Sequence, residues 1–296
     1  MDAARLKTVL GILKRSIAFL IVVSVLGIAL YQHEVLIDVL QSLGYAKALL
    51  LIVLWSCLAL LSPYCTILAL RSDLRAKLNG YYYDIAIRRL LARYIPGGFW
   101  MLVGKGVDLH EKGVPATSIK SILIYETVLP LVAAASISTF AILVLRGLSI
   151  PYIVALLLVS YLVFRWSFSL RLFRAALLKE INYGRGVVVT WVYWLALAGI
   201  FGFYYSAIEN ACVGHCISLA SAYYVFSWAV GYAVPVAPQG LGVAEFMFSL
   251  LLDAESIEVI VAQLIGFRLV VLMGDTLAVG LRALFLLLRT QRHRLV

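Results

Sequence analysis

Long apolar runs alternate with short clusters of charge along this chain, and the runs have the length of membrane crossings. They fall at about 16–33, 48–70, 119–145, 148–164, 187–208, 217–235, 236–252 and 257–288. A helix that crosses a ~30 Å hydrocarbon core needs about 20 apolar residues, and several runs reach that length. The pattern predicts an all-α polytopic membrane protein of about eight transmembrane helices, forming one integral membrane domain over 1–296. No small-residue cleavage site follows the first run, so a retained helix is expected there and not a removed signal peptide.

Two stretches interrupt this pattern in the same way. Tyr94-Ile95-Pro96-Gly97-Gly98-Phe99-Trp100 is followed by Lys105 and Glu126, and 235–245, with Pro238, Gly240, Gly242 and Glu245, is followed by Arg268. Irregular backbone at membrane depth survives only where protein or a watery cavity shelters it. Paired interruptions in two halves of a membrane protein point to a transport site, and here an internal repeat with halves near 1–180 and 181–296 is expected. The apolar piece at 94–107 is too short for a comfortable crossing and has positive charge on both flanks, from Arg88, Arg89 and Arg93 to Lys105 and Lys112. A re-entrant segment fits it better than a cytoplasmic amphipathic helix. For the second interruption a short, broken crossing fits better than a re-entrant hairpin. Asp253, Glu255 and Glu258 then lie outside and the basic C-terminus inside.

Composition narrows the class. The chain is 64% hydrophobic and 14% charged, with a mean hydropathy of +1.00, so the bilayer must be its solvent. A net charge of +10 could suggest nucleic acid, but its distribution does not. Nearly all of the 25 basic residues fall on one side of the expected crossings, while Glu34, Asp38, Glu209, Asp253, Glu255 and Glu258 collect on the other. This is the positive-inside pattern and places both termini in the cytoplasm. The basic face also suits anionic lipid headgroups. The polar segment 71–93, with Tyr81-Tyr82-Tyr83, fits an amphipathic helix in the headgroup zone or an ordinary cytoplasmic loop. Cys57 and Cys65 read as packing residues, and Cys212 and Cys216 as a local disulfide or two free thiols in an outer loop.

The ionisable residues inside the apolar runs carry the chemistry. Glu126 lies roughly 8–9 Å into its crossing at 1.5 Å per residue. Pro130, four residues on, removes the N–H that would bond the Glu126 carbonyl. Glu245 sits in the broken seventh crossing, and Arg268, Asp275 and Arg282 share one face of the last helix. A charge at the centre of a membrane helix costs about 2.5–3.5 kcal/mol and normally faces the bundle interior or water. Either a structural ion pair, Arg268 with Glu245 or Glu126, or a polar pathway explains them. Where a helix restarts in the membrane, its free N–H groups and dipole favour an anion. The glycines 97, 98, 240 and 242 leave room for a phosphate, and Lys105 and Arg268 would add full charge. No P-loop, Ser-His-Asp arrangement or metal-ligand cluster is present, so neither an ATP engine, an enzyme nor a cofactor is expected.

Both interruptions resemble the motifs of the lysylphosphatidylglycerol synthase transmembrane-region family. The first signature is matched by Arg93 to Trp100, Gly104-Lys105, Lys112-Gly113-Val114 and Glu126. The second is matched by Pro238-x-Gly240-x-Gly242-Val243-x-Glu245 and Arg268. The chain departs from the family pattern at Lys105, where Arg is usual; Lys meets phosphate as a point charge and not as a bidentate fork. The resemblance covers nearly the whole chain. It implies a bundle of about eight helices that moves lipids between leaflets, and a stand-alone member without the aminoacyl-transferase domain, so lipid lysylation is not carried over. Such members look like handlers of polyprenyl-phosphate-linked sugars or other lipids. The expected function is therefore a flippase or scramblase of a phosphate-bearing lipid in a prokaryotic plasma membrane. Its site residues would be Pro96, Gly97, Gly98, Lys105, Glu126, Pro238, Gly240, Gly242, Glu245, Arg268 and Asp275. The competing readings are a non-transporting membrane partner of a glycosyltransferase or lipid-modifying enzyme, and a secondary carrier for a small solute.

Overall fold

The computed structural model describes residues 37, 41–95, 100–148, 151, 181–209, 213–233, 240, 242–252 and 257–292. The expected crossing at 16–33, and all but two residues of that at 148–164, lie outside them, as do Pro96, Gly97, Gly98 and Pro238. The described residues are helical apart from turns and one isolated bridge. In chain order the helices are α1 (Tyr45–Ala69), α2 (Ser72–Leu78), α3 (Tyr82–Arg88), a 3-10 turn (Leu90–Tyr94), α4 (Trp100–Glu111) and α5 (Ala116–Leu145). They continue with α6 (Tyr183–Ile208), α7 (His215–Ala233), α8 (Val243–Leu252) and α9 (Ile257–Arg292).

Five of these are long and apolar enough to cross a membrane: α1, α5, α6, α7 and the 259–288 part of α9. The chain is a multi-pass membrane protein. The eighth expected run, 257–288, and those at 48–70, 119–145, 187–208 and 217–235 coincide with these spans. Among the described residues of the run at 236–252 the α-helix is the ten-residue α8, about 15 Å long against a ~30 Å core. Among the described residues the count is therefore five spans with short helices between them.

The packing forms a closed ring. α1 lies on α6, α6 on α7, α7 on α8, α8 on α9, and α9 returns to α1, while α5 packs on α6 and α7. The apolar outer faces, for example Leu49, Val53 and Leu61 of α1 and Leu284, Leu287 and Leu288 of α9, are exposed as lipid-facing residues must be. Inside, aromatic rings fill the ring's centre. Phe201 stacks on Tyr224 at 4.0 Å, and Phe267 meets Phe201 edge-on at 5.1 Å and Trp55 at 5.9 Å. Such rings combine large contact area with fixed geometry.

Close approach of α1 and α9 depends on Gly274. A Cβ there would lie 2.7 Å from Trp55 Cδ1 and 3.0 Å from the Ile52 carbonyl. Small residues let membrane helices meet where no hydrophobic drive separates protein from lipid. Gly274→Ala should therefore destabilise the fold by about 1–3 kcal/mol through overpacking, read as a lower thermal midpoint of the purified protein.

Turn chemistry sets the short elements. α4 ends at Gly113, whose φ of 75° allows the Val114 N–H to bond the Leu109 carbonyl at 3.1 Å, a Schellman-type stop. Pro115 then begins α5, so α4 and α5 form a tight helical hairpin. At the other side, Asn182 accepts from the Arg185 N–H at 3.2 Å to cap α6. Its own N–H donates to the Ala69 carbonyl at 2.7 Å, tying the end of α1 to the start of α6.

Candidate functional site

The two short helices after the interruptions bury the same stripe. In α4 the buried residues are Gly104, Lys105, Asp108 and Leu109; in α8 they are Ala244, Glu245, Phe248 and Ser249. Each stripe opens with a small residue followed by a charge, positive in α4 and negative in α8. A surface helix in water would turn such charges outward. Here they point into the bundle, and each meets an opposite charge on the next long helix.

In the first centre, Lys105 Nζ donates to Glu126 Oε1 at 3.0 Å and to Oε2 at 3.1 Å. Thr66 of α1 donates to Oε1 at 3.1 Å, and the Tyr82 hydroxyl of α3 donates to the same oxygen. Burial, and then the adjacent carboxylate, push the Tyr82 phenol well above its ordinary value, so it remains a donor. Tyr232 of α7 lies within electrostatic range of Glu126. Lys105 is 6% exposed.

In the second centre, Arg268 of α9 pairs with Glu245 Oε1 at 2.8 Å. Glu245 Oε2 accepts the Gly242 N–H at 2.7 Å. This is the backward half of a capping box, in which a carboxylate one turn into the helix satisfies the N–H at its start. The helix start that favours an anion is thus occupied by the chain's own carboxylate. Gly240, with φ 71°, presses on α7: a Cβ there would stand 2.6 Å from Gly231 Cα. Only glycine meets both conditions.

A third centre surrounds Asp275, which is fully buried. It accepts from Trp55 Nε1 at 2.9 Å, from the Tyr94 hydroxyl at 2.6 Å and from the Arg93 guanidinium. The stretch that leads into the first interruption is therefore fastened to α9. Tyr224 lies within electrostatic range of Arg268, Glu245 and Arg93, between the second and third centres. Two further pairs hold neighbouring elements: Arg89 clasps Asp108 bidentately at 2.8 and 3.0 Å, and Arg282 pairs with Asp84.

Along α9, then, Arg268, Asp275 and Arg282 each hold a different short element: α8, the 3-10 turn and α3. The expected sites separate accordingly. Lys105 meets Glu126, and Gly240, Gly242, Glu245 and Arg268 gather together. Asp275 joins neither pair and anchors Arg93 and Tyr94. Sequence reasoning missed Tyr82, Thr66, Trp55, Arg93 and Tyr94. Tyr82 was masked by its place in a run of three tyrosines, and Trp55 by its apolar run. Arg93 and Tyr94 carried an available signal, since both stand in the first motif that was singled out.

Among the described residues no group of three His, Cys, Asp or Glu could hold a metal ion. Cys216 is disulfide-bonded, and Cys57 and Cys65 are free. No family model, curated protein or solved structure matches the chain.

Proposed function

We propose that this protein is a flippase or scramblase that carries a phosphate-bearing lipid headgroup between the leaflets of a prokaryotic plasma membrane, with both termini cytoplasmic. The observation that carries the reading is the pair of inward-facing charges, Lys105 on α4 and Glu245 on α8. Each sits on a short helix beside a Pro/Gly interruption and is held by a carboxylate or guanidinium on the next long helix. Charges buried at membrane depth need a reason, and a headgroup pathway supplies one. Short helices that begin at interruptions, with their charges turned inward, support reading 94–107 as a re-entrant segment and 236–252 as a broken crossing, within a bundle of about eight helices. The resemblance of both motifs to the lysylphosphatidylglycerol synthase transmembrane region supports lipids as the cargo. A phospholipid and a polyprenyl-phosphate-linked sugar share the phosphate that Lys105 would meet. The chain carries no P-loop, so transport through it would run downhill or be driven by an ion.

One observation favours a second reading. Every site charge already has a partner, as static staples of a membrane docking protein for a glycosyltransferase or lipid-modifying enzyme would. Dithionite quenching of fluorescent lipids in vesicles holding the purified protein separates the two. Transport predicts accelerated exchange that falls at least tenfold in folded Glu126→Gln, Glu245→Gln and Arg268→Ala. Staples predict no exchange above protein-free vesicles across phospholipids and polyprenyl phosphates.

A further inference from the structure

The two ion pairs differ in how they can open. Glu245 is built into the start of its own helix, because the Gly242 N–H bonds it at 2.7 Å. Releasing Glu245 would expose a backbone donor at a helix end. Glu126 is held only by side chains: Lys105 from α4, Tyr82 from α3 and Thr66 from α1. Those side chains can rotate without breaking any helix. Lys105 can therefore exchange its partner, whereas Arg268 is fixed to a carboxylate that its own backbone also needs.

The geometry points to a proton-for-phosphate exchange at Glu126: an anionic phosphodiester replaces the carboxylate on Lys105 Nζ, and Glu126 takes one proton as it does so. This deepens the lipid-transport reading and rests on it. In the resting pair a carboxylate and an ammonium balance. After exchange the ammonium faces the phosphodiester, and the carboxyl group, now neutral, stays with Tyr82 and Thr66. One anion and one proton enter together, so the net charge of the centre is unchanged. Without the proton, two anions would share one buried cation, which is the arrangement that forces one acid to protonate.

Among the described residues the groups facing Glu126 are Lys105 from α4, Tyr82 from α3, Tyr232 from α7 and Tyr125 on α5 itself, with neutral Thr66 from α1. Glu126 is the one carboxylate among them, and so the group that can take up a proton as an anion arrives.

Isothermal titration in lipid nanodiscs tests this with dihexanoyl phosphatidylglycerol, whose phosphodiester does not itself titrate near neutral pH. Linkage of one proton predicts affinity that falls as pH rises from a lower to an upper value, by up to about tenfold per unit. Titration in buffers of different ionisation enthalpy should show close to one proton taken up per lipid at the upper pH. Glu126→Gln should bind with no pH slope, and at least tenfold more tightly than wild type at the upper pH. The proton count on wild type decides the matter if that variant does not fold. Binding of the lipid with no proton uptake overturns the exchange and leaves the transport reading standing. Equal binding of glycerophosphoglycerol, the same headgroup without chains, keeps the exchange and overturns the lipid as its source. Binding of neither probe overturns the exchange, and the vesicle assay then judges transport separately.

Discussion

Asp275→Ala should be the most damaging single change in the helical bundle, costing about 3–5 kcal/mol. That is the usual penalty for removing one partner of a buried ion pair. The carboxylate accepts from Trp55 on α1 and from Arg93 and Tyr94 in the 3-10 turn, and it is fully buried. Its loss removes the counter-charge of a guanidinium packed inside the bundle. It also leaves an indole N–H and a phenol without their acceptor, each worth about 1–3 kcal/mol when stranded. Burial, and then Asp275, hold the Tyr94 phenol well above its ordinary value, so ionisation of Tyr94 offers no relief. Thermal unfolding of the detergent-purified protein should show a midpoint lowered by roughly 10 °C. Asp275→Asn keeps an acceptor for Trp55 and should fall between wild type and Ala. Arg93→Ala combined with Asp275→Ala should lose less than the two single losses added, because the residues share one centre. Strict additivity would show that Arg93 and Asp275 do not interact.

What the sequence made legible was the set of charges and the interruptions, because each violates a strong rule of the membrane interior. Glu126, Glu245, Arg268 and Asp275 stand out in apolar runs whatever their partners, and Gly240 stands out beside Pro238. Partners are harder, since helix spacing fixes which residues share a face but not which face meets which neighbour. Arg268 could have met Glu245 or Glu126. It meets Glu245 because α8 packs directly on α9, while the tight turn at Gly113 returns α5 against α4 and gives Glu126 to Lys105. Neutral donors were harder still. Thr66 and Tyr82 break no rule of composition, and only the fold brings them to one carboxylate oxygen. For α4 the sequence favoured a re-entrant segment over an amphipathic surface helix and singled out Lys105, but it did not show that Asp108 shares the buried stripe with it.

Under the proposed lipid transport, exchanging Lys105 and Glu126 should separate folding from transport. Lys105→Glu alone places two carboxylates within hydrogen-bonding reach, a repulsion of about 4 kcal/mol at 4 Å in a protein-like dielectric. Glu126→Lys alone does the same with two ammonium groups, so both single variants should yield little folded protein. The double variant restores an attractive pair between α4 and α5 and should recover a monodisperse, folded protein. It also erases the difference between the two centres, since the anion would then lie on the short helix in both, as Glu245 does on α8. The cation would move to α5, where Thr66 and Tyr82 now donate to Glu126. A headgroup arriving at α4 would meet a carboxylate. Lipid exchange in vesicles should therefore stay at least tenfold below wild type despite normal folding. Full exchange in the double variant would mean that the polarity of the pair is immaterial, and that Lys105 and Glu126 serve only to hold α4 against α5.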